Sequence, residues 1–310
     1  LLSRESAKVL TDGKLVEKDF SSILSLITNE DQKTRDFAAK AFNSILKKHS
    51  DVAEIEINSI LEDKLNNDIL RKTKRPDEIR HLADGIDSDI VDTLIKTVKN
   101  KFDISKEYYK FKAEVLNKKY LEFHERNIPV GKLSKKITYN EAQKIVKIVF
   151  GKLSPVFEEI FARFSENGQI DVYPKKGKVS GAFCAHNLKN YPVYVLLNYT
   201  DTINDVLTLA HEMGHAIHFE LAKQCNSLYY GASTATAEVA STFMEDFTLK
   251  ELLNILPNKD SFTLLMHKLD DDISTIQRQV ALYLFEKDLH KSFREKGYLS
   301  KKTDRRNFFR

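Results

Sequence analysis

The chain has 310 residues, 42% of them apolar and 30% charged, with ten Gly, six Pro and no Trp. So few chain breakers exclude a β-sandwich or barrel, which needs a turn roughly every ten residues, and point to a mainly helical protein large enough for two packed units. Forty-nine Lys and Arg against 45 Asp and Glu leave a net charge of +4, too small and too evenly mixed for a nucleic-acid-binding stripe. Two cysteines, Cys184 and Cys225, exclude a disulfide framework and fit a reducing, cytoplasmic compartment. Apolar runs such as Val193 to Leu197 are far too short to span a membrane. The chain opens on Leu1 and not Met, in sequence that reads as helical, so a fragment or a processed form is expected.

Residues 1–85 are charged and helical in pattern, with Phe37, Ala38, Ala41, Phe42, Ile45 and Leu46 on one face. The stretch RPDEIRHLADGID, holding Pro76 and Gly85, marks the expected domain boundary at 85. Asp87 or Ser88 then caps a helix with Ile90, Val91, Leu94, Ile95 and Val98 inside, and a further helix runs through YYKFKAEVLNKKYLEF. Thr138 and Glu141 form a capping box, and Ser154 with Pro155 opens the next helix. The texture changes after that. Three short β-like pieces, Ile170–Tyr173, Val179–Cys184 and Val193–Tyr199, are separated by turn formers and predict the chain's one small sheet.

The third piece leads into DTINDVLTLAHEMGHAIHFELAK, a helix opened by Thr202 and Asp205 and carrying a wide apolar surface from Val206 to Ile217. Within it lies HEMGH. His211 and His215 are four residues apart, so both imidazoles leave one helix face and can ligate one tetrahedral zinc ion. Glu212 adjoins the first of them and can reach a water at the metal, as a general base must. Catalytic zinc usually takes three protein ligands. The metzincin pattern would need Gly at 218 and His at 221, where the chain has His218 and Leu221. A second helix, STATAEVASTFMEDFTLKELL, offers Glu238 instead, in a run whose Ala235, Ala237 and Ala240 allow close packing. Glu245, two turns on, with Ser241 and Thr242 between, is a candidate to orient the histidines, as is His218 one turn past His215. Surface positions are expected for His49, His81, His124, His186, His267 and His290, a small core position for Cys184, and a solvated helix start for Asp270–Asp272.

HEMGHAIH followed by TAEVASTFMED resembles the oligoendopeptidase F branch of the thimet oligopeptidase-like zinc metallopeptidases. The likeness extends upstream through KGKVSGAFCAHNL and PVYVLLNYT, and downstream to about Lys302. It implies a mainly α fold: a zincin-like catalytic domain with a small antiparallel β-sheet over 86–310, preceded by a partial helical lobe over 1–85. It implies His211, His215 and Glu238 as ligands of one Zn2+, Glu212 as the base, and Gly181, Ala182 and Phe183 at a substrate-binding edge. The expected activity is zinc-dependent endopeptidase action on internal bonds of short peptides, with no nucleic-acid or membrane partner and the oligomeric state open. The His and Tyr residues of the family's C-terminal segment have no counterpart before Arg310, so a C-terminally truncated domain that binds zinc but hydrolyses poorly is expected. The alternatives are a catalytically silent peptide-binding or structural fragment that keeps the zinc scaffold, and an exopeptidase with the same metal motif.

Overall fold

The computed structural model describes residues 2–11, 13–133 and 135–301. Leu1, where the chain opens, and Lys302 to Arg310, where the family likeness ends, lie outside the described residues. The first regular elements are strands, not the helix that the charged N-terminal sequence suggests. β1 (Ser6–Thr11) pairs antiparallel with β2 (Lys14–Asp19), Ser6 opposite Asp19 and Thr11 opposite Lys14. Val9 alone on this hairpin is fully buried, and Gly13 takes φ +75° in the two-residue turn, the conformation such turns demand.

Helices follow: α1 (Phe20–Leu26), α2 (Gln32–Lys48), α3 (Ser50–Arg71), α4 (Glu78–Asp84), α5 (Ser88–Lys99) and α6 (Asp103–Val115). Asp19 and Asp31 cap α1 and α2 by accepting backbone N–H bonds. The expected face of α2 buries Ala38 and Ile45 but leaves Phe37 and Leu46 exposed. α5 differs more. Asp87 is its N-cap, yet no residue of α5 is buried; Val91, Ile95 and Val98 are half-buried, and Ile90 and Leu94 face solvent. The helix predicted to run on to Phe123 stops at Val115, where Asn117 turns left-handed at φ +54°.

The chain continues through α7 (Tyr139–Leu153) and α8 (Pro155–Glu166). Thr138 and Glu141 form their capping box at α7, and Ser154 caps α8 with Pro155 at its first position. β3 (Ile170–Asp171), β4 (Phe183–Ala185) and β5 (Tyr194–Leu196) form one sheet in the order β3-β5-β4. The pairing corrects the antiparallel expectation. β4 lies antiparallel to β5, with Cys184 opposite Val195, but β3 runs parallel to β5, with Ile170 opposite Val195. The last strand enters the middle of the sheet, which leaves β4 at an edge. α9 (Ile203–Ala222), α10 (Thr234–Ile255) and α11 (Asn258–Asp272) follow, then a π-helical segment, Ile273–Arg278, that runs into α12 (Gln279–Lys296). No helix among the described residues is long and apolar enough to cross a membrane.

Packing divides the chain into two compact units: Leu1–Val130 with Met266–Arg310, and Gly131–Leu265. The boundary expected at 85 falls inside the first of these. The first unit has several small cores, around Val9, Ile23, Ala38 and Ile45; around Tyr108, Val130, Met266 and Ile273; and around Leu61, Phe293 and Leu299. Buried ion pairs lie between its elements. Glu125 holds Arg35 at 3.0 Å and Lys118 at 2.6 Å. The fully buried Lys112 meets Asp270 at 2.7 Å, and the Tyr108 hydroxyl donates to the same carboxylate. The Asp270–Asp272 run therefore closes α11 and does not start a helix, and Asp270 anchors that end. The second unit has one continuous core in which Val146 and Phe150 of α7, Phe161 and Phe164 of α8, Val195 of β5 and Leu209 and Met213 of α9 pack together.

Candidate metal centre and active site

α9 is fixed at its start by short-range bonds that its sequence dictates. The Thr202 hydroxyl accepts from the Asp205 N–H, while the Asp205 carboxylate accepts from the backbone N–H groups of Thr200 and Thr202. Asp201 between them takes φ +65°, and its carbonyl accepts from the Ile137 N–H. The buried Tyr199 hydroxyl donates to the Ile137 carbonyl at 2.8 Å. Val206, Leu209, Ala210, Met213, Ala216, Ile217 and Phe219 then bury most of the helix surface.

α10, capped by Ser233, lies directly on α9. The contact point is Gly214. A Cβ built there would stand 2.6 Å from the Ser241 Cα and 2.8 Å from the Ala240 carbonyl oxygen. Only glycine admits the second backbone this closely. The small residues that matter are thus Ala240 and Ser241, with Gly214 as their counterpart inside the HEMGH motif. A glycine within a helical run is the sequence signal for such an approach.

This packing gathers His211, His215 and Glu238, whose ligating atoms all lie within 4.8 Å of one another. The Nε2 atoms of His211 and His215 are 3.5 and 3.8 Å from the same Glu238 oxygen. The two rings are 5.0 Å apart and nearly perpendicular. Ligand atoms about 2.0–2.2 Å from one tetrahedral centre stand roughly 3.3–3.6 Å apart, so these donors fit one small divalent ion with little movement. Ser241 donates to Glu238 Oε2 at 3.0 Å, and Thr242 donates to the Glu238 carbonyl. Glu245 lies 3.0 Å from His211 Nδ1. A carboxylate only accepts, so Nδ1 carries a hydrogen, and in the neutral ring Nε2 holds the lone pair on the side of Glu238.

The electrostatics of the cluster follow from burial and charge. Burial opposes protonation of His211, but the bond to Glu245 and the carboxylates of Glu212, Glu245 and Glu238 outweigh it and hold the ring above the usual histidine range. Burial and the neighbouring His211 push His215 down. Glu212 is 8% exposed, and burial, reinforced by Glu238 against the pull of His211, raises its carboxyl.

The remaining predicted residues are placed as follows. His218 packs edge-on against Phe219 at 5.1 Å and lines a shallow cleft with Ala235, Val239 and Phe243; among the described residues it makes no hydrogen bond to the histidine pair. Gly181 takes φ +83°, and its carbonyl accepts from Asn198 at 2.8 Å. Ala182 packs on the core and Phe183 is exposed on the edge strand β4, which lies against α9. His186, expected on the surface, is half-buried. Its ring stacks on Phe219 at 3.4 Å, and its charge acts on both His215 and His218. The Cys184 thiol is pushed up to about 12, first by burial and then by Glu212 and Glu220. His49, His81 and His124 bond to Glu5, Ser88 and Asp36. A second cluster, Asp36, His124 and Glu125, has a metal-like spacing, but its Glu125 is committed to Arg35 and Lys118.

Known proteins resemble this chain over most of its length. The sequence profile of Peptidase family M3 matches residues 25–307. Oligoendopeptidase F homolog of Borreliella burgdorferi is 30% identical over 98% of this chain and 56% of its own length. Oligopeptidase PepF of Bacillus subtilis is 26% identical over 92% of this chain and 43% of its own. The chain spans about half the length of the curated relatives it matches. Oligoendopeptidase-F from Enterococcus faecium, 18% identical, shares the fold with a TM-score of 0.67 over 95% of this chain and 46% of that one. A crystal structure from Chlamydophila abortus, 23% identical, shares it with a TM-score of 0.85 over 99% and 52%. The profile spans most of the chain and includes the histidines and carboxylates of the cluster, so the chain belongs to peptidase family M3, on its oligoendopeptidase F branch.

Proposed function

We propose that this chain carries the zinc centre of a metallopeptidase that cleaves internal bonds of short peptides. The observation that supports this reading best is the pair of Nε2 atoms facing Glu238 while Glu245 occupies His211 Nδ1. A structural histidine pair has no need of a third ligand and an orienting carboxylate. His211, His215 and Glu238 would hold the ion. Zinc, when bound, supplies a Lewis acid that lowers the pKa of water and polarises a carbonyl. Glu212 takes the proton of the attacking water and returns it to the leaving amine. Burial raises its carboxyl, which makes it a stronger base than an exposed glutamate. The substrate main chain adds to the free edge of β4, with Gly181 to Phe183 alongside it. On this reading residues 1–85 belong to the enzyme's helical lobe, residues 86–310 to its catalytic domain, and the enzyme works on peptides in the cytoplasm.

The test is chelation and reconstitution with a peptide blocked at both ends. The account expects one zinc per chain, loss of cleavage on chelation, recovery with zinc, and products cut at internal bonds. Zinc uptake with no cleavage under any condition would leave a metal scaffold without the activity. Cleavage that survives complete removal of metal would contradict the mechanism, and cleavage limited to peptides with a free end would make the enzyme an exopeptidase.

A further inference from the structure

The first unit contains a cavity of about 840 Å³ between α6, the segment around Phe123, the π-helical segment and α12. All of its lining residues belong to that unit, and none takes part in the metal cluster. Its wall is aromatic, with Phe102, Tyr109 and Phe123 among its members. Its charge is one-sided: three lysines and two arginines line it against a single acid, Glu122. Glu122 is itself engaged in capping the short helical turn at Phe123.

Two polar groups in this wall are incomplete. Arg126 stacks over Phe123 at 4.2 Å and gives one N–H to the Phe123 carbonyl, yet its Nε is buried without a partner. Gln277 is 91% buried, and its Oε1 also has none. Arg278, on the same wall, makes no ion pair among the described residues. Burial, and then the charge of Arg278, hold the Arg126 guanidinium below its ordinary basicity, and both guanidinium charges act on Tyr109. Two like charges and an orphaned donor call for an anion between them. The orphaned acceptor, in the same wall, calls for a neutral N–H.

We propose that this cavity binds the C-terminal residue of a peptide with a large apolar side chain, through residues that are no part of the zinc cluster. The free carboxylate pairs with Arg126 and Arg278, the last peptide N–H donates to Gln277 Oε1, and the side chain fills the aromatic wall. A free apolar acid offers the carboxylate and the side chain but no N–H, so the Gln277 acceptor selects the peptide. The proposal does not depend on metal.

Calorimetric titration of the whole chain, kept metal-free, with N-acetyl-Leu-Phe, its C-terminal amide and 3-phenylpropionate tests this. The acid is expected to bind at least tenfold more tightly than the amide and more tightly than 3-phenylpropionate. Arg278→Gln, at an exposed side chain, is expected to keep the wild-type melting temperature and lose about tenfold in affinity for the acid, and Arg278→Lys to lose less. Gln277→Leu is expected to remove the preference for N-acetyl-Leu-Phe over 3-phenylpropionate. Equal binding of acid and amide, or an Arg278→Gln protein that binds like wild type, would overturn the carboxylate site. Equal binding of 3-phenylpropionate by the wild-type protein would overturn the peptide assignment. No binding at millimolar concentration would make the cavity a surface for protein chain and overturn both.

Discussion

His211 has its two nitrogens assigned to different partners: Nδ1 to Glu245 at 3.0 Å and Nε2 toward Glu238 at 3.5 Å. That division separates the roles of the surrounding carboxylates and makes them testable. Glu212→Gln is expected to keep zinc and lose about 10²–10⁴ in turnover, because it removes a base and no ligand. His215→Ala and Glu238→Gln are expected to lose zinc outright in equilibrium dialysis. Glu245→Ala is expected to lose about 10–100-fold in zinc affinity or activity, since it frees the ring that it orients. If Glu212→Gln released zinc as readily as His215→Ala, the assignment of base and ligand would be wrong. The pairing of His211 with His215, and of Glu238 with Glu245, was legible because each spacing is local: four positions within α9 and seven within α10. His186 was not legible. Its place depends on Phe219 stacking across from a loop, a tertiary contact that no spacing encodes.

At the scale of elements, the centre depends on the crossing of α9 and α10 at Gly214. Adding one methyl there meets backbone, not a flexible side chain, so a helix must shift. Gly214→Ala is expected to destabilise the protein by about 1–3 kcal/mol in chemical denaturation. It should also weaken zinc binding, since Glu238 sits one turn from Ser241 on the displaced helix. Wild-type stability and affinity in this variant would show that the helices do not need the contact. The helix starts were legible because capping is a local exchange of bonds: Thr202 with Asp205, Thr138 with Glu141, Ser154 with Pro155. The hairpin of β1 and β2 carried a signal, the Asp12-Gly13 dipeptide between alternating residues, that the high charge around it obscured. The parallel pairing of β3 with β5 had none. Two residues of strand cannot announce a partner more than twenty positions away.

Across the whole molecule, the first unit is assembled from two distant stretches of chain, Leu1–Val130 and Met266–Arg310, and the sequence break near Gly85 lies within the first of these. Its small cores are joined by charges that must be ionised to be worth burying. Burial alone would push Glu125 up, but Lys118 and Arg35 hold it at about 2, against an ordinary 4.5. A depressed carboxyl contributes its stability above the unfolded value and loses it as pH falls toward the folded one, here between about 4.5 and 2, a contribution of about 3 kcal/mol. Glu125→Gln is therefore expected to cost about 3 kcal/mol or more at pH 7, since Arg35 and Lys118 lose their counter-charge. The gap to wild type in urea unfolding should narrow as pH falls through that window; a gap that stays constant with pH would dissociate Glu125 from the effect. The central claim concerns the second unit, and anomalous diffraction at the zinc edge from crystals of the zinc-loaded protein tests it most directly. The account predicts one peak about 2.0–2.1 Å from both Nε2 atoms of His211 and His215, with a Glu238 oxygen completing the protein ligands. A peak elsewhere, or none with zinc at saturating concentration, would contradict it.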